Sequence, residues 1–255
     1  MKKTECSDPY KGDAICLELT VANLSRLRAI LLDCHGEIKE WMEDFPLHAL
    51  SGNPLDQLIG TVLSQATNDR NSSRAFANLK TEYPDWEDAL AAPAVEVERA
   101  IACGGLGRQK SLKIQAILAR LSPEGDGLTL DHLRSLAPAE TRRFLLSLPG
   151  VGPKTAACVQ LFSLGQSAFP VDTHVHRVIS RLCLVPKRID AAKTQALLEE
   201  TAAADDCLPL HLALIQHGRR ICRPANPDCP RCPLKPECLY EKIKGSEVDI
   251  PTINH

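Results

Sequence analysis

The apolar residues of this chain recur at the spacing of an α-helix almost from end to end, which limits the folds open to it. One stripe of four such residues, at positions i, i+3, i+4 and i+7, marks a helix that begins near Arg108. The residues of this stripe are Ile114, Ile117, Leu118 and Leu121. No segment alternates apolar and polar residues for long enough to predict a β-strand instead. The sequence therefore predicts an all-α protein with short connections.

Prolines and glycines divide this helical pattern into separate segments. Pro138, Pro153 and Pro209 stand at or near predicted helix starts, and glycines follow several of the ends. The predicted helices cover residues 21–34, 54–65, 71–82, 95–103, the segment from 108, 138–148, 153–164, 172–183, 191–204 and 209–221.

The segment LPGVGPKT, at residues 148–155, joins two of these helices through a short turn. Gly150 and Gly152 permit a tight turn and a close approach of a phosphate to the backbone. Pro153 suits the first position of the second helix, and the free amides at that end form a site for an anion. A plain corner between two helices explains the glycines equally well, so the turn alone leaves both interpretations open.

Lys154 lies in the first turn of the second helix, and Asp172 follows eighteen residues further on. Because the positive end of the helix dipole disfavours an ammonium, we expect a lowered pKa for Lys154 and a usable amine nucleophile. A carboxylate nearby can accept the lysine proton or stabilise a developing cation. The alternatives are a phosphate contact for Lys154 and an ordinary helix N-cap for Asp172, which can serve both purposes.

Four cysteines near the C-terminus are spaced C-x6-C-x2-C-x5-C within seventeen residues. Prolines lie between them and exclude a helix. In a reducing compartment, such close cysteines indicate metal ligands rather than disulfides. Since only the middle two form a CxxC pair, the spacing favours a [4Fe–4S] cluster, and zinc is the alternative. The four predicted ligands are Cys222, Cys229, Cys232 and Cys238.

Composition sets the class of protein. The 255 residues are 44% hydrophobic and 24% charged, as in an ordinary soluble globular protein of one large domain or two modest ones. No apolar run is long enough to cross a bilayer, which excludes a membrane partner by this criterion. The N-terminal segment turns polar and acidic after two lysines and is no secretory signal, so we expect an intracellular protein.

The distribution of charge qualifies a net charge of −2, which by itself does not favour binding to nucleic acid. Residues 101–121 contain four basic residues and no acid, and residues 216–244 contain seven basic residues against three acids. A basic face on a neutral body can bind DNA. Solvated helix faces with a chance asymmetry are the alternative.

Three elements in this order, the hairpin LPGVGPKTA, the segment VDTHVHRV and the cysteine tail, resemble endonuclease III. That family comprises helix-hairpin-helix base-excision DNA glycosylases with a C-terminal [4Fe–4S] loop. The segment VLSQAT at 62–67 is similar to the family's LSxQAT stretch, and Gly105-Leu106 followed by Lys110 is similar to its GLxxxKA loop. The resemblance extends over residues 46–240.

The resemblance implies roles for individual residues. Lys154 takes the place of the family's Schiff-base lysine, and Asp172 that of its essential aspartate. Gln65 corresponds to the glutamine that fills the gap left by a flipped nucleotide. Leu106 corresponds to the wedge that enters the opposite strand. The further DNA contacts implied are Gly150, Gly152, Thr155 and His174.

The resemblance also implies two helical domains with the active-site cleft between them. One is a six-helix bundle with the helix-hairpin-helix, at residues 46–166. The other is discontinuous, joins residues 1–45 to 167–255 and carries the cluster loop 222–238. The implied partner is double-stranded DNA with a damaged base or an abasic site, bound by a monomer.

The implied activity is removal of damaged pyrimidines, oxidised ones in particular, through a lysine Schiff base that also nicks the strand by β-elimination. The alternatives are a monofunctional mismatch or adenine glycosylase and a non-catalytic Fe–S protein that binds DNA. Lys154 and Asp172, present together, argue against both. Pro153 before the lysine and Asn68 in place of a frequent aspartate depart from the family pattern. Both departures concern the choice of substrate base rather than the reaction.

Overall fold

The computed structural model describes residues 18–36, 52–122, 127–186 and 188–240. Across these ranges it contains α-helices, short 3₁₀ turns and no β-strand, which confirms the all-α prediction. The helices are α1 (Val21–His35), α2 (Pro54–Leu63), α3 (Asp69–Glu82), α4 (Trp86–Ala91), α5 (Ala94–Ile101), α6 (Gly107–Leu121), α7 (Pro138–Ser147), α8 (Pro153–Phe162), α9 (Thr173–Arg181), α10 (Ala191–Thr201) and α11 (Ala204–Arg220). No described helix combines the length and apolar character needed to cross a bilayer.

Two helices differ from the sequence prediction. Helix α4 is only six residues long, too short to show an apolar stripe, and burial of Trp86 and Ala89 holds it in place. Helix α11 begins at Ala204, so Pro209 lies inside it and the predicted start at this proline is wrong. The carbonyl that loses its N–H partner is that of Asp205, which is exposed and can be hydrated, so the cost of the proline is reduced.

The buried apolar residues form two separate cores. The first lies among α2 to α8 and includes Leu58, Ile101 and Ile117. The second lies among α1, α9, α10 and α11 and includes Leu24 and Leu214. Helix α1 packs along α11, so the N-terminal helix joins the C-terminal part of the chain. The predicted domain boundary at residue 46 falls outside the described residues.

Helix α8 contributes to both cores. Every residue from Thr155 to Leu161 is buried, as its nearly continuous apolar sequence predicts. Ala156 and Val159 face the first core, whereas Ala157 and Leu161 face the second. Its N-terminal end, which carries Lys154, is therefore fixed where the two cores meet.

Partly buried polar contacts connect α7, α8 and α10. The Nη1 of Arg142 on α7 donates to both carboxylate oxygens of Glu199 on α10, at 2.9 and 2.8 Å. Glu199 also accepts from Nε2 of Gln195, and this nitrogen donates to the carbonyl of Pro153 at 3.2 Å. The first residue of α8 is thus held from the side of the second core.

Candidate active site

The turn between α7 and α8 has the geometry of an anion site. Gly150 has a φ of +71°, in the left-handed region that favours glycine. Gly152 is the N-cap of α8 and Pro153 its first residue, and no side chain caps this end. The first amides of α8 are therefore open to an anionic ligand. Thr155 is buried, which disfavours the DNA contact that the resemblance implied for its side chain.

Asp172 is the N-cap of α9. Its Oδ1 accepts a hydrogen bond from the backbone N–H of Val175 at 2.8 Å, which confirms the capping interpretation. Its carboxylate also raises the pKa of Lys154, so the two charged groups lie close together. Both side chains are partly exposed. The structure thus brings together the two residues that the sequence singled out.

The pKa of Lys154 lies above its ordinary value, and the expectation of a lowered pKa was wrong. The largest cause is the negative charge that Cys158, one turn further along α8 and hydrogen-bonded to the lysine, carries as a thiolate; burial opposes the increase, and the Asp172 carboxylate adds to it. Because burial raises the pKa of Cys158 above that of an ordinary thiol, this group is neutral at neutral pH, and there the carboxylate supplies the negative charge. Lys154 is therefore an ammonium at neutral pH and needs a proton acceptor before it can act as a nucleophile.

Asn68 and Asp69 have structural roles beside this site. The Oδ1 of Asn68 accepts from the backbone N–H of Asn71 at 2.9 Å, so this residue caps α3. Asp69 follows it, forms an ion pair with Arg219 of α11 and helps to raise the pKa of Lys154. The ion pair connects a helix of the first core to one of the second, next to the lysine.

Gln65 and Leu106 lie on two short loops, and each loop contains a residue other than glycine with a left-handed backbone conformation. Leu106 has a φ of +51° and a side chain that is 52% exposed. Ala66, next to Gln65, has a φ of +52°. A left-handed conformation costs a residue other than glycine about 1–2 kcal/mol, and such strain clusters at functional sites. An exposed leucine on a strained loop is compatible with the implied wedge.

Lys110 forms hydrogen bonds with the backbone next to both loops. It is buried, and its Nζ donates to the carbonyls of Leu63 and Gly104, both at 2.8 Å. Leu63 ends α2 just before the Gln65 loop, and Gly104 precedes the Leu106 loop. Burial lowers the pKa of Lys110. The sequence predicted that Lys110 belongs to a basic face that can bind DNA, but the residue is buried and does not lie on that surface.

Replacing Lys110 by methionine is expected to lower the free energy of unfolding by about 2–5 kcal/mol, because two buried carbonyls lose a charged donor. Urea denaturation measures the change. Arg108 is exposed on the same helix, and its replacement by methionine is expected to change stability by no more than about 0.5 kcal/mol. Equal effects of the two substitutions would show that water replaces the ammonium of Lys110.

His174 belongs to α9, and its side chain faces α11. Its Nδ1 is 3.1 Å from the Nη2 of Arg177, and burial lowers its pKa. Gly218 of α11 faces both side chains: a Cβ there would lie 2.9 Å from the Cβ of His174 and 3.1 Å from Nη2 of Arg177. The same Nη2 donates to the carbonyl of Gly218 at 2.9 Å. The glycine therefore permits α9 to lie directly against α11.

The four predicted cysteine ligands lie near one another at the edge of the second core. Burial, followed by the charges of the other three, raises the pKa of Cys232 to about 12. Arg181 donates from Nη1 to Sγ of Cys222 at 3.3 Å, and Sγ of Cys232 lies 3.6 Å from Nε2 of His217. In the described part of the chain, no three His, Cys, Asp or Glu side chains converge closely enough for a single metal ion.

Comparison with known proteins identifies relatives of this chain. Residues 59–204 match the HhH-GPD superfamily of base excision DNA repair proteins. A putative DNA glycosylase of Arabidopsis thaliana is 42% identical over 65% of this chain, but the match spans only 56% of that protein. Endonuclease III of Thermotoga maritima is 34% identical over 81% of this chain and 92% of its own length.

Solved structures show the same fold. An endonuclease III in a non-covalent complex with DNA superimposes with a TM-score of 0.71, at 29% identity, over 87% of this chain and 97% of that one. A thermostable thymine-DNA glycosylase, 23% identical, superimposes with a TM-score of 0.70 over 87% of this chain and 95% of that one. The resemblance seen in the sequence is thus confirmed. The chain belongs to the HhH-GPD superfamily of base excision DNA repair proteins.

Proposed function

We propose that this protein is a base-excision DNA glycosylase with lyase activity at abasic sites, and that Lys154 is its nucleophile. The observation that carries the proposal is the proximity of Lys154, at the uncapped N-terminus of α8, to the carboxylate of Asp172. The similarity of the chain to endonuclease III of Thermotoga maritima supports the proposal. Its structural similarity to an endonuclease III in complex with DNA supports it too. Double-stranded DNA with a damaged base or an abasic site is the proposed partner.

The two strained loops and the hairpin would prepare the substrate. A base inside a duplex cannot be reached, so the nucleotide must leave the stack at a cost of a few kcal/mol, less for a damaged pair. Leu106 is exposed and can enter the stack, and Gln65 can occupy the space that the nucleotide leaves. The amides after Gly150 and Gly152 can hold a phosphate of the extruded strand.

The reaction would begin with transfer of a proton from the Lys154 ammonium to the Asp172 carboxylate. The neutral amine then attacks C1′ of the sugar, while the C1′–N bond breaks and its electron pair leaves with the base, which takes up a proton. The lysine nitrogen then loses a further proton, and its lone pair opens the sugar ring: the C1′–O4′ bond breaks, O4′ leaves with the electron pair and takes up a proton, and an iminium forms. Removal of a C2′ proton then expels the 3′ phosphate by β-elimination, and water releases the enzyme.

Oxidised pyrimidines are the substrate class that we propose. The two departures from the family pattern have structural roles, since Asn68 caps α3 and Pro153 begins α8. Neither substitution removes a residue of the proposed reaction. A monofunctional mismatch or adenine glycosylase remains the second candidate, and Lys154 beside a carboxylate disfavours it because a water-dependent reaction needs no amine.

Borohydride trapping on a duplex with one abasic site tests the proposal. A lysine iminium is reduced to a stable amine, so the wild-type protein should form a covalent adduct with DNA that migrates as one species. Base release from lesion-bearing duplexes without an adduct would favour the monofunctional candidate. Binding with neither base release nor adduct would favour a non-catalytic DNA-binding protein.

We also propose that the four cysteines hold a [4Fe–4S] cluster. The spacing of the four cysteines supports this, together with the proximity of the other three sulfurs to Cys232 and the hydrogen bond that Arg181 donates to Cys222. When bound, the cluster would supply a structural cross-link of the loop 222–238, because the proposed lyase reaction transfers no electrons.

Replacing Cys232 by serine is expected to reduce bound iron from about four atoms per chain to a small fraction of that number. Iron and acid-labile sulfide analysis measures the loss. Cys34 is exposed on α1, far in sequence from the loop, and its replacement by serine should leave the iron content unchanged. Zinc in place of iron and sulfide in the wild-type protein would contradict the cluster assignment.

The two cores support the proposed division into a bundle at residues 46–166 and a discontinuous domain formed by 1–45 and 167–255. We propose that DNA binds to a monomer in the cleft between these domains, where α8 and α9 present Lys154 and Asp172. A chromosomal DNA substrate would locate the protein in the cytoplasm or nucleoid.

A further inference from the structure

Lys113 of α6 contacts both parts of the proposed DNA-binding surface that the sequence assigned separately. Its Nζ donates a hydrogen bond to Oε1 of Gln65 at 2.9 Å, across forty-eight residues of sequence. The lysine is partly exposed and lies one turn after the buried Lys110. Helix α6 therefore holds the Gln65 loop twice, at the backbone through Lys110 and at the side chain through Lys113.

The stem of Lys113 lies against the hairpin turn. A Cβ at Gly150 would come within 2.6 Å of Cε and 2.8 Å of Cδ of this lysine, distances that no real contact allows. A side chain at Gly150 would strain a φ of +71° and would also push aside the flexible end of Lys113. The stem of Lys113 therefore passes over the hairpin turn on its way to Gln65, through space that the missing side chain of Gly150 leaves open.

The hydrogen bond also fixes the orientation of the Gln65 amide. An ammonium has three donors and no acceptor, so the atom of Gln65 that meets it must be the carbonyl oxygen. The Nε2 amide, with its two protons, is then the end that the side chain can offer to a base. Gln65 would therefore meet the DNA as a hydrogen-bond donor in one prepared orientation.

We propose that Lys113 is a positioning residue for extrusion of the nucleotide: it holds Gln65 ready to enter the duplex, and Gly150 leaves room for the lysine to reach it. This inference rests on the proposed function. It differs from a phosphate contact, because the lysine acts through Gln65 and not on the DNA. Preorganisation of this kind lowers the entropy that is lost when the side chain enters the stack.

A double-mutant cycle with Lys113→Met and Gln65→Ala tests the inference. Nicking under single-turnover conditions is measured on a duplex with an abasic site and 2-aminopurine opposite it, whose fluorescence reports loss of stacking. Each single variant is expected to be slower by about tenfold, and the double variant by about tenfold as well, because both substitutions remove the same interaction. The rise in fluorescence should be reduced equally in all three.

Arg108→Met provides the matched control, since Arg108 is an exposed cation on the same helix. Its effect should multiply with that of Gln65→Ala. If the effects of Lys113→Met also multiply, or if its only effect is to reduce the salt dependence of binding by one phosphate contact, the positioning role is wrong. Should Lys113→Met fail to fold, Lys113→Gln completes the cycle, and Lys113→Arg should restore the rate.

Failure of the cycle is distinguishable from failure of the proposed function. The wild-type protein in the same assay must form the borohydride-trapped adduct and nick the abasic site. A wild type that does neither overturns the proposed function. A wild type that does both, with variants whose effects multiply, overturns only the role of Lys113.

Discussion

Replacing Lys154 by alanine is expected to abolish the borohydride-trapped adduct and to slow strand nicking at an abasic site by at least about 10⁴-fold. The amine is the only group that forms the bond to C1′ in the proposed reaction, so its removal leaves no route to the iminium. Lys154 is partly exposed at a helix end, and alanine is a good helix former. The variant should therefore fold and bind DNA.

Lys193→Ala is the control for this experiment, because Lys193 is an exposed lysine of α10 that the proposed reaction does not use. It should leave adduct formation unchanged. Binding of the abasic duplex by Lys154→Ala, measured by fluorescence anisotropy, separates a lost nucleophile from lost affinity. An adduct that persists in Lys154→Ala would show that another amine reacts, and the assignment of Lys154 would have to be withdrawn.

Replacing Asp172 by asparagine should slow the reaction by about 10²–10⁴-fold while leaving stability nearly unchanged. Asparagine is as good an N-cap as aspartate, so the bond from the N–H of Val175 survives through the amide oxygen. The charge is lost, however, and with it both the acceptor for the lysine proton and the stabilisation of a cationic sugar. Single-turnover nicking and thermal unfolding measure the two effects separately.

The direction of the rate change in Asp172→Asn distinguishes two roles for the carboxylate. The carboxylate raises the pKa of Lys154, so Asp172→Asn lowers that pKa and increases the fraction of neutral amine at a given pH. If supply of neutral amine were the only requirement, the variant would be faster than wild type. Asp172→Ala should lose the cap as well and cost about 1 kcal/mol of stability. A faster Asn variant would refute a role for the carboxylate in proton transfer.

Local sequence patterns predicted most of the fold. Apolar stripes and helix-starting prolines gave α8 and its burial, because such signals act over a few residues. Asp172 followed by Val175 is a local pattern too, and its capping bond formed as predicted. Helix α4 was not predicted, because its six residues make fewer than two turns and show no apolar stripe. The start of α11 was predicted at Pro209, but a proline is tolerated inside a helix where water can hydrate the carbonyl that loses its N–H partner.

The candidate site was predictable only in part. Lys154 and Asp172 were found from their motifs, but the direction of the lysine pKa depends on a sulfur that packing places beside it. Cys158 stands four residues after Lys154, so the helix period offered a signal for this contact. Lys110 offered a signal as well, because it lies four residues before Ile114 on the apolar face of α6, which predicts its burial. Lys113 offered none, since its bond to Gln65 joins residues that only the tertiary structure brings together.

Gly218 has a consequence for how the reacting groups are kept in register. It lets α9 rest on α11, and α9 carries Asp172 at its first turn. Any larger residue would force the two helices apart and displace the carboxylate from the amine on α8. The separation of acid and nucleophile therefore depends on how closely two helices can approach at a residue that takes no part in the chemistry.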